Sequence, residues 1–196
     1  MTNYLLSIDP GLSTGVSLIS YEEGEAPVLE LSWQFGGGAD KIKEFIRTAH
    51  VPLRFAGSGI NRFGLIKWDS PKLTVIAEKF TARNTKGFSY TTASLEALRG
   101  EGVLLALDLM PDYSAKEKRW RDPGLQYLVG GVSLADKKKR QHKFLKDSGF
   151  YRTGKDFGTP DADDFRSSVA HGLNYLAREL KHKPTFQMIS DWVEEN

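Results

Sequence analysis

The chain contains no cysteine, which excludes disulfides, zinc–thiolate sites and thiol nucleophiles. It also lacks any apolar run approaching the ~18 residues that a membrane span needs, and its N-terminal apolar stretch is too short for a signal peptide. No internal repeat or low-complexity tract interrupts the 196 residues. These absences predict a single domain over residues 1–196 that works in the cytoplasm without a membrane partner.

The net charge of +2 conceals an uneven distribution of charge along the sequence. Residues 1–60 hold four Lys/Arg and seven Asp/Glu, whereas residues 116–183 hold sixteen Lys/Arg and nine Asp/Glu. A basic half that also contains clustered carboxylates favours a polyanionic substrate. A solvated basic surface without a binding role explains the charge alone equally well.

Apolar stretches bounded by turn residues predict an α/β fold with a mixed five-stranded sheet and helices on both faces. Three strands form an antiparallel meander, and a fourth is expected to run parallel to the first because a helix lies between them. Residues 50–71, rich in Gly and Pro, are expected to be irregular. The predicted strands are 4–8, 15–21, 28–35, 73–77 and 126–129, and the predicted helices are 39–49, 91–109, 135–146 and 160–180.

Acidic residues stand where three predicted elements begin or end. Asp9 ends the first strand, Glu78 follows the fourth, and Asp161-Ala162-Asp163-Asp164 opens the last helix. A turn, a surface ion pair or favourable charge at a helix N-terminus explains each feature singly. A buried carboxylate is costly unless a cation or donor compensates it. Their joint order predicts that these carboxylates converge at one edge of the sheet.

Helix geometry separates the acids of the last predicted helix. At about 100° per residue, Asp161 and Asp164 lie roughly 60° apart and can share a metal, whereas Asp163 lies roughly 160° from Asp161 and is expected to face solvent or support a ligand. Two Mg²⁺ ions about 4 Å apart can activate a water and stabilise a leaving 3′-oxygen. The predicted catalytic metal ligands are Asp9, Glu78, Asp161 and Asp164.

The same residues resemble a known family, the RuvC-type Holliday junction resolvases of the RNase H-like nuclease superfamily. The resemblance covers residues 3 to about 180. It rests on Ile8-Asp9-Pro10-Gly11 with Gly15, on Glu78, on Leu98-Arg99-Gly100, on Asp161-x-x-Asp164, and on the segment 130–144 with Gln141-His142.

This resemblance implies an RNase H-like fold and a Mg²⁺- or Mn²⁺-dependent endonuclease that acts as a homodimer, nicking two opposed strands of a four-way DNA junction. The short, diverged chain resembles phage versions of the family, which places it in the host cytoplasm. Some phage versions accept several branched structures. The family's aromatic wedge, which contacts unpaired bases, has its nearest counterpart here in Phe80, near Arg83 and Lys86.

The densest basic run, residues 137–146, falls on a predicted helix. Beside a carboxylate group such a run is expected to bind phosphates without reading bases. A solvated helix face is the alternative. The predicted DNA contacts in this run are Lys137, Lys138, Lys139, Arg140, His142 and Lys143.

Other functions remain open at this stage. An RNase H-like enzyme could cut flaps, forks or RNA–DNA hybrids rather than four-way junctions. Asp-x-Gly followed by Ser-Thr-Gly also resembles the first phosphate loop of actin-like ATPases and sugar kinases, although those folds need two such domains. A catalytically silent binder of branched DNA is disfavoured because all four carboxylates are present.

Overall fold

A computed structural model describes residues 1–48, 50–54, 61–65, 72–78, 91–106 and 124–196. The strands in these ranges are β1 Asn3–Asp9, β2 Ser13–Tyr21, β3 Val28–Gly36, β4 His50–Arg54, β5 Asn61–Leu65 and β6 Leu73–Ala77. The helices are α1 Gly38–Thr48, α2 Thr92–Ala106, α3 Leu125–Leu128, α4 Leu134–Asp147, α5 Asp163–Arg178 and α6 Lys183–Glu195, with a single 3₁₀ turn at Gly154–Asp156.

The central sheet contains four strands in the order β3-β2-β1-β6. β1 pairs antiparallel with β2 and β2 antiparallel with β3, whereas β1 pairs parallel with β6. The predicted meander and the predicted parallel strand are therefore confirmed. Ile8 lies opposite Ala77, and the Glu78 amide donates to the Ile8 carbonyl at 2.9 Å. The ends of β1 and β6 thus meet at one edge of the sheet.

The predicted fifth strand, 126–129, is wrong because this segment falls on and just after the short helix α3. Leu125 and Val129 are fully buried, and Leu128 packs against the same core. Their spacing places all three side chains on one face of a helix, whereas a strand would send Leu128 and Val129 to opposite sides. A short apolar run suits either structure, and here the packing selects the helix.

The Gly- and Pro-rich segment 50–71 also differs from the prediction of an irregular chain. β4 and β5 form an antiparallel hairpin whose register runs from His50 opposite Leu65 to Arg54 opposite Asn61. This hairpin is a separate two-stranded sheet. A proline in β4 is compatible with it because each strand pairs on one side only.

Side chains of the central sheet alternate between two apolar layers, so helices cover both faces as predicted. The first layer joins Leu6, Ile8, Val16, Leu18, Leu31 and Trp33 of the sheet to Ile42, Phe45 and Ile46 of α1 and Leu104 of α2. The second joins Leu5 and Ile19 to Phe165, Val169, Leu173 and Leu176 of α5, Phe144 and Leu145 of α4, and Ile189 and Trp192 of α6.

The last two helices differ from their predicted bounds. α5 begins at Asp163, three residues later than predicted. α6 has no counterpart in the prediction, although Pro184 in its first turn and the spacing of Ile189 and Trp192 are helix signals. In the described part of the chain, no helix combines the length and apolar character needed to cross a bilayer.

Candidate active site

Three residues near one end of the sheet form a row across its strands. Gly15 of β2 lies opposite Asp9 of β1 and also opposite Gln34 of β3. Directly opposed residues of antiparallel strands point to the same face. A Cβ on Gly15 would lie 2.1 Å from the carbonyl carbon and oxygen of Asp164. The glycine therefore lets the first turn of α5 rest directly on β2.

Asp9 and Glu78 form a hydrogen-bonded carboxyl pair at this edge. Protein surrounds Asp9 on most sides, and the Ser167 hydroxyl of α5 donates a second hydrogen bond to it. Burial is the main reason that the pKa of Asp9 is raised well above its usual range, and the negative charges of Glu78 and then Asp164 raise it further. Because a hydrogen bond between two carboxyls needs a proton, the pair retains one to a higher pH than isolated carboxyls do.

Asp164, the second residue of α5, adjoins this pair. Burial is the largest cause of its raised pKa, and the charges of Asp161 and Asp163 add to it, whereas a hydrogen bond from Ser13 acts in the opposite direction. Asp164 in turn contributes to the raised pKa of Asp9. Asp9, Glu78 and Asp164 are thus one electrostatically connected group, which we call the carboxylate cluster.

His171 of α5 approaches the carboxylate cluster from the helix side. Its Nε2 lies 3.6 Å from Glu78 Oε2, and its side chain is only 11% exposed. At this distance the two groups are neighbours without a hydrogen bond between them. Asp164, Ser167 and His171 are spaced i, i+3, i+7 and therefore share one face of α5. Sequence reasoning missed Ser167 and His171, although this spacing, followed from Asp164, indicates both.

Asp161 lies before the helix rather than on it. Because α5 begins at Asp163, the predicted angle between Asp161 and Asp164 on a shared helix is wrong. The exposed Asp161 carboxylate accepts a hydrogen bond from the Asp163 amide at 3.0 Å. Its charge still reaches the carboxylate cluster by raising the pKa of Asp164.

Asp163 has a side chain that is 55% exposed and is ion-paired with Arg166. The hydrogen bond from Arg166 is the main reason that the pKa of Asp163 is lowered. Arg166 also donates to the Arg152 carbonyl at 3.1 Å and to Tyr151 Oη at 3.3 Å. The negative charge of Asp163 is therefore balanced by Arg166, whereas the pKa values of Asp9 and Asp164 in the carboxylate cluster are raised.

A pocket of about 220 Å³ opens beside the carboxylate cluster. It is lined by Asp9, Asp163 and Asp164, by Arg166 and Ser167 of α5, and by Lys138, Gln141 and His142 of α4. The pKa of His142 is lowered mainly by burial and then by the charges of Arg166 and Lys138. The pocket combines carboxylates, which can ligate Mg²⁺, with a lysine, which can bind a phosphate.

The basic run of α4 divides between two faces. Lys138 and His142 line the pocket, whereas Arg140 and Lys143 lie over the ring of Trp192 in α6. Arg140 donates to the Val129 carbonyl at 2.8 Å and to the backbone oxygen of Asn196 at 3.0 Å. The side chain of Arg140 therefore holds α4 against neighbouring elements.

The other predicted DNA contacts lie away from the pocket or outside the described residues. Lys137 Nζ lies 4.0 Å from the ring centre of Tyr127, and Lys139 is exposed on α4. The predicted contacts Phe80, Arg83 and Lys86 lie outside the described residues.

The carboxylate cluster offers oxygen ligands of the kind that Mg²⁺ prefers. Among the described residues, no group of three or more His, Cys, Asp or Glu side chains is arranged to hold a metal ion. Mg²⁺ is commonly held by one or two carboxylates together with water and substrate phosphate oxygens. Asp9 and Glu78 supply two such carboxylates, and a cation would replace the proton between them. The residues present therefore fit Mg²⁺.

No protein-family model matches the chain, and no curated protein matches it. Among solved structures, the RuvC structure of Thermus thermophilus matches with 11% sequence identity and a TM-score of 0.49, over 93% of this chain and 98% of that chain. A similarity at this TM-score carries no argument about function. The case for a function therefore rests on the carboxylate cluster and the pocket beside it.

Proposed function

We propose that the chain is a metal-dependent endonuclease that hydrolyses phosphodiester bonds in branched DNA, with an RNase H-like fold of the RuvC type. The observation that carries the proposal is the carboxylate cluster at the edge of a mixed sheet, two of whose members, Asp9 and Asp164, line a pocket together with Lys138. Carboxylates can hold a cation beside a phosphate, and a lysine can stabilise charge that develops on it. Together these groups are the parts that phosphodiester hydrolysis needs.

The side chains around the pocket have separate tasks in this proposal. Divalent ions, two in each site, supply Lewis acidity and a nucleophilic water at neutral pH. Asp9 and Glu78 would hold metal at the strand ends together with water and phosphate oxygens, and Asp164 would add negative charge from α5. Hydrogen bonds from Ser167 to Asp9 and from Ser13 to Asp164 fix the carboxylates. Asp161 remains a predicted ligand at the outer side of the first helical turn.

Paired nicks require two active sites, so we propose that the chain acts as a homodimer on a four-way junction. The substrate partner is branched DNA, and the basic face of α4 near the pocket supports contact with its phosphates. A single nuclease domain in the cytoplasm and a phage origin both remain predictions from the sequence.

The proposal is tested by comparing Mg²⁺-dependent cutting of a synthetic four-way junction, a flap and a linear duplex. Symmetric paired nicks in the junction alone are the expected result, and Glu78→Gln, which keeps the side-chain size, is expected to lose them. Equal cutting of flap and junction would replace the resolvase by a broader structure-selective nuclease. An absence of cutting on every substrate with Mg²⁺ and with Mn²⁺ would contradict the proposal.

Lys138→Gln is expected to weaken DNA binding, whereas Arg140→Gln is expected to lower the stability of the fold. Loss of one phosphate contact at Lys138 should weaken junction binding and reduce its salt slope by about 1, with little change in stability. Arg140→Gln removes charged hydrogen bonds to two carbonyl groups and should cost about 1–2 kcal/mol of unfolding free energy. Fluorescence anisotropy without divalent metal at several salt concentrations and urea denaturation measure the two effects. Lower stability in Lys138→Gln together with weaker DNA binding in Arg140→Gln would contradict the division of α4 into two faces.

A further inference from the structure

Gln34 of the edge strand β3 makes three hydrogen bonds to the start of α5 and the segment before it, one of them from its Nε2 to Thr159 Oγ1 at 3.4 Å. Its Oε1 accepts from the Phe165 amide at 3.0 Å, and its Nε2 donates to the Asp161 carbonyl at 2.9 Å. The side chain thereby holds the backbone on both sides of Asp163 and Asp164. Asp164 belongs to the carboxylate cluster.

The N-cap residue of α5 supplies no capping side chain. The N-cap residue is Ala162, which is 0% exposed and has no side-chain acceptor. The first amides of a helix lack intrahelical partners, and a capping side chain normally accepts from the second or third helical residue. Phe165 is the third residue of α5. Gln34 therefore supplies from β3 the acceptor that position 162 lacks.

Gln34 also shares its cross-strand row with Asp9. Both residues lie opposite Gly15, Asp9 on one side and Gln34 on the other. Ser167 of α5 donates to Asp9, whereas the Phe165 amide of the same helix donates to Gln34. The start of α5 is thus held to the sheet by two hydrogen bonds, one to Asp9 and one to Gln34. Between them the helix backbone lies on Gly15, which has no side chain to contact it.

We infer that Gln34 is a positioning residue for the proposed nuclease reaction, because it fixes the first turn of α5 over Gly15 so that Asp164 stays beside Asp9. This inference rests on the proposed function for its catalytic consequence. Gln34 is not among the residues that line the pocket. Its effect on the reaction is therefore expected to pass through α5, which carries Asp164.

The test compares two substitutions of Gln34 with a matched control. Gln34→Met keeps the length of the side chain and removes all three hydrogen bonds, whereas Gln34→Glu keeps the acceptor for the Phe165 amide and loses the donor to Asp161 and Thr159. Gln187→Met makes the same chemical change on α6, where the exposed Gln187 bonds only its helix neighbour Asp191 among the contacts described, at 2.6 Å. Each protein is assayed for junction cleavage and for amide hydrogen exchange over residues 161–168.

For Gln34→Met we expect kcat to fall about 10- to 100-fold with KM for the junction changed less than about twofold, since small misplacements of reacting groups have effects of this size. Amide exchange over residues 161–168 should be faster in the same variant. Gln34→Glu should restore part of both properties because the acceptor remains, and its negative charge suits a helix N-terminus. Gln187→Met should match the wild type in both measurements.

Two results would overturn this inference. Unchanged exchange over residues 161–168 in Gln34→Met would show that the side chain does not hold the helix start. Faster amide exchange over these residues in Gln34→Met, with an unchanged kcat, would show that Gln34 caps α5 but does not position Asp164 for the reaction. A wild-type protein that cuts no substrate would overturn the proposed function, and with it the catalytic consequence, whereas hydrogen exchange decides the contact to α5 independently.

Discussion

Asp9→Asn is expected to reduce Mg²⁺-dependent junction cleavage by more than about 100-fold. Loss of a group that merely supports a metal ligand typically costs about 10- to 100-fold, and Asp9 is proposed to be a ligand itself. Asparagine keeps the size of the side chain and one oxygen, but it carries no negative charge to attract a cation. The Lys138 face of α4 is unchanged, so junction binding without metal should persist. The same substitution should make the metal-free protein more stable at neutral pH.

The gain in stability follows from the raised pKa of Asp9. Burial and the neighbouring Glu78 favour the protonated carboxyl in the folded protein. Between the unfolded value of about 3.9 and the raised folded value, the folded state binds more protons than the unfolded state. The stability of the metal-free wild type therefore falls as the pH rises through this range. Asparagine does not titrate, so the stability of the variant does not fall with pH for this reason.

Thermal unfolding in EDTA from pH 4 to pH 8 measures the effect. The Tm of Asp9→Asn should exceed that of the wild type by a margin that grows with pH, and Mg²⁺ should narrow the margin by stabilising only the wild type. Asp163→Asn is the control of opposite sign, because Arg166 lowers the pKa of Asp163 and the lost ion pair should cost stability at neutral pH. If Asp9→Asn follows the wild type at every pH, the coupled carboxyl pair is contradicted.

Gly15→Ala is expected to destabilise the protein by about 3 kcal/mol and to reduce cleavage at least about 100-fold. The new Cβ would lie 2.1 Å from two backbone atoms of Asp164 and 2.3 Å from the Phe165 nitrogen. Backbone atoms cannot rotate away as a flexible side chain can, so the whole first turn of α5 must lift from β2. This movement separates Asp164 from Asp9 and strains the contact with Gln34.

Gly36→Ala provides the matched control for this prediction. Gly36 also lies in a strand of the β2–β3 pair, but a Cβ there would meet nothing within 4 Å. Its unfolding free energy and cleavage rate should stay near those of the wild type. Denaturant unfolding and single-turnover cleavage of both variants measure the difference. Equal stability and activity of Gly15→Ala and Gly36→Ala would contradict the close approach of α5.

The parts of the fold that the sequence predicts are those governed by local pattern. Alternating apolar residues and the Pro10-Gly11 turn define the β1–β2 hairpin, and a helix before Leu73 predicts the parallel pairing of β6. Because β1 and β6 run parallel, Asp9 and Glu78 fall at the same edge, and the structure brings them into contact. Their proximity therefore follows from topology, which patterns of this kind can reveal.

The parts that the sequence does not predict depend on contacts between distant residues. The sequence places Gly15 at the start of the second predicted strand, yet its lack of a side chain matters because Asp164 packs against it from 149 positions away. The start of α5 likewise contacts Gln34 in β3, a distant residue, and local propensity places this start three residues early, which puts Asp161 on the helix. The basic run of α4 reads as one surface because the packing of Trp192 is not encoded locally.

The most direct test of the proposed metal site is titration of the metal-free protein with Mn²⁺, followed by the loss of the free-ion EPR signal. The wild type, Asp9→Asn and Glu78→Gln are compared at the same pH and salt concentration. We predict saturable binding to the wild type and an affinity at least about 10-fold lower in each variant. Equal Mn²⁺ affinity in all three proteins would contradict a metal site at the carboxylate cluster.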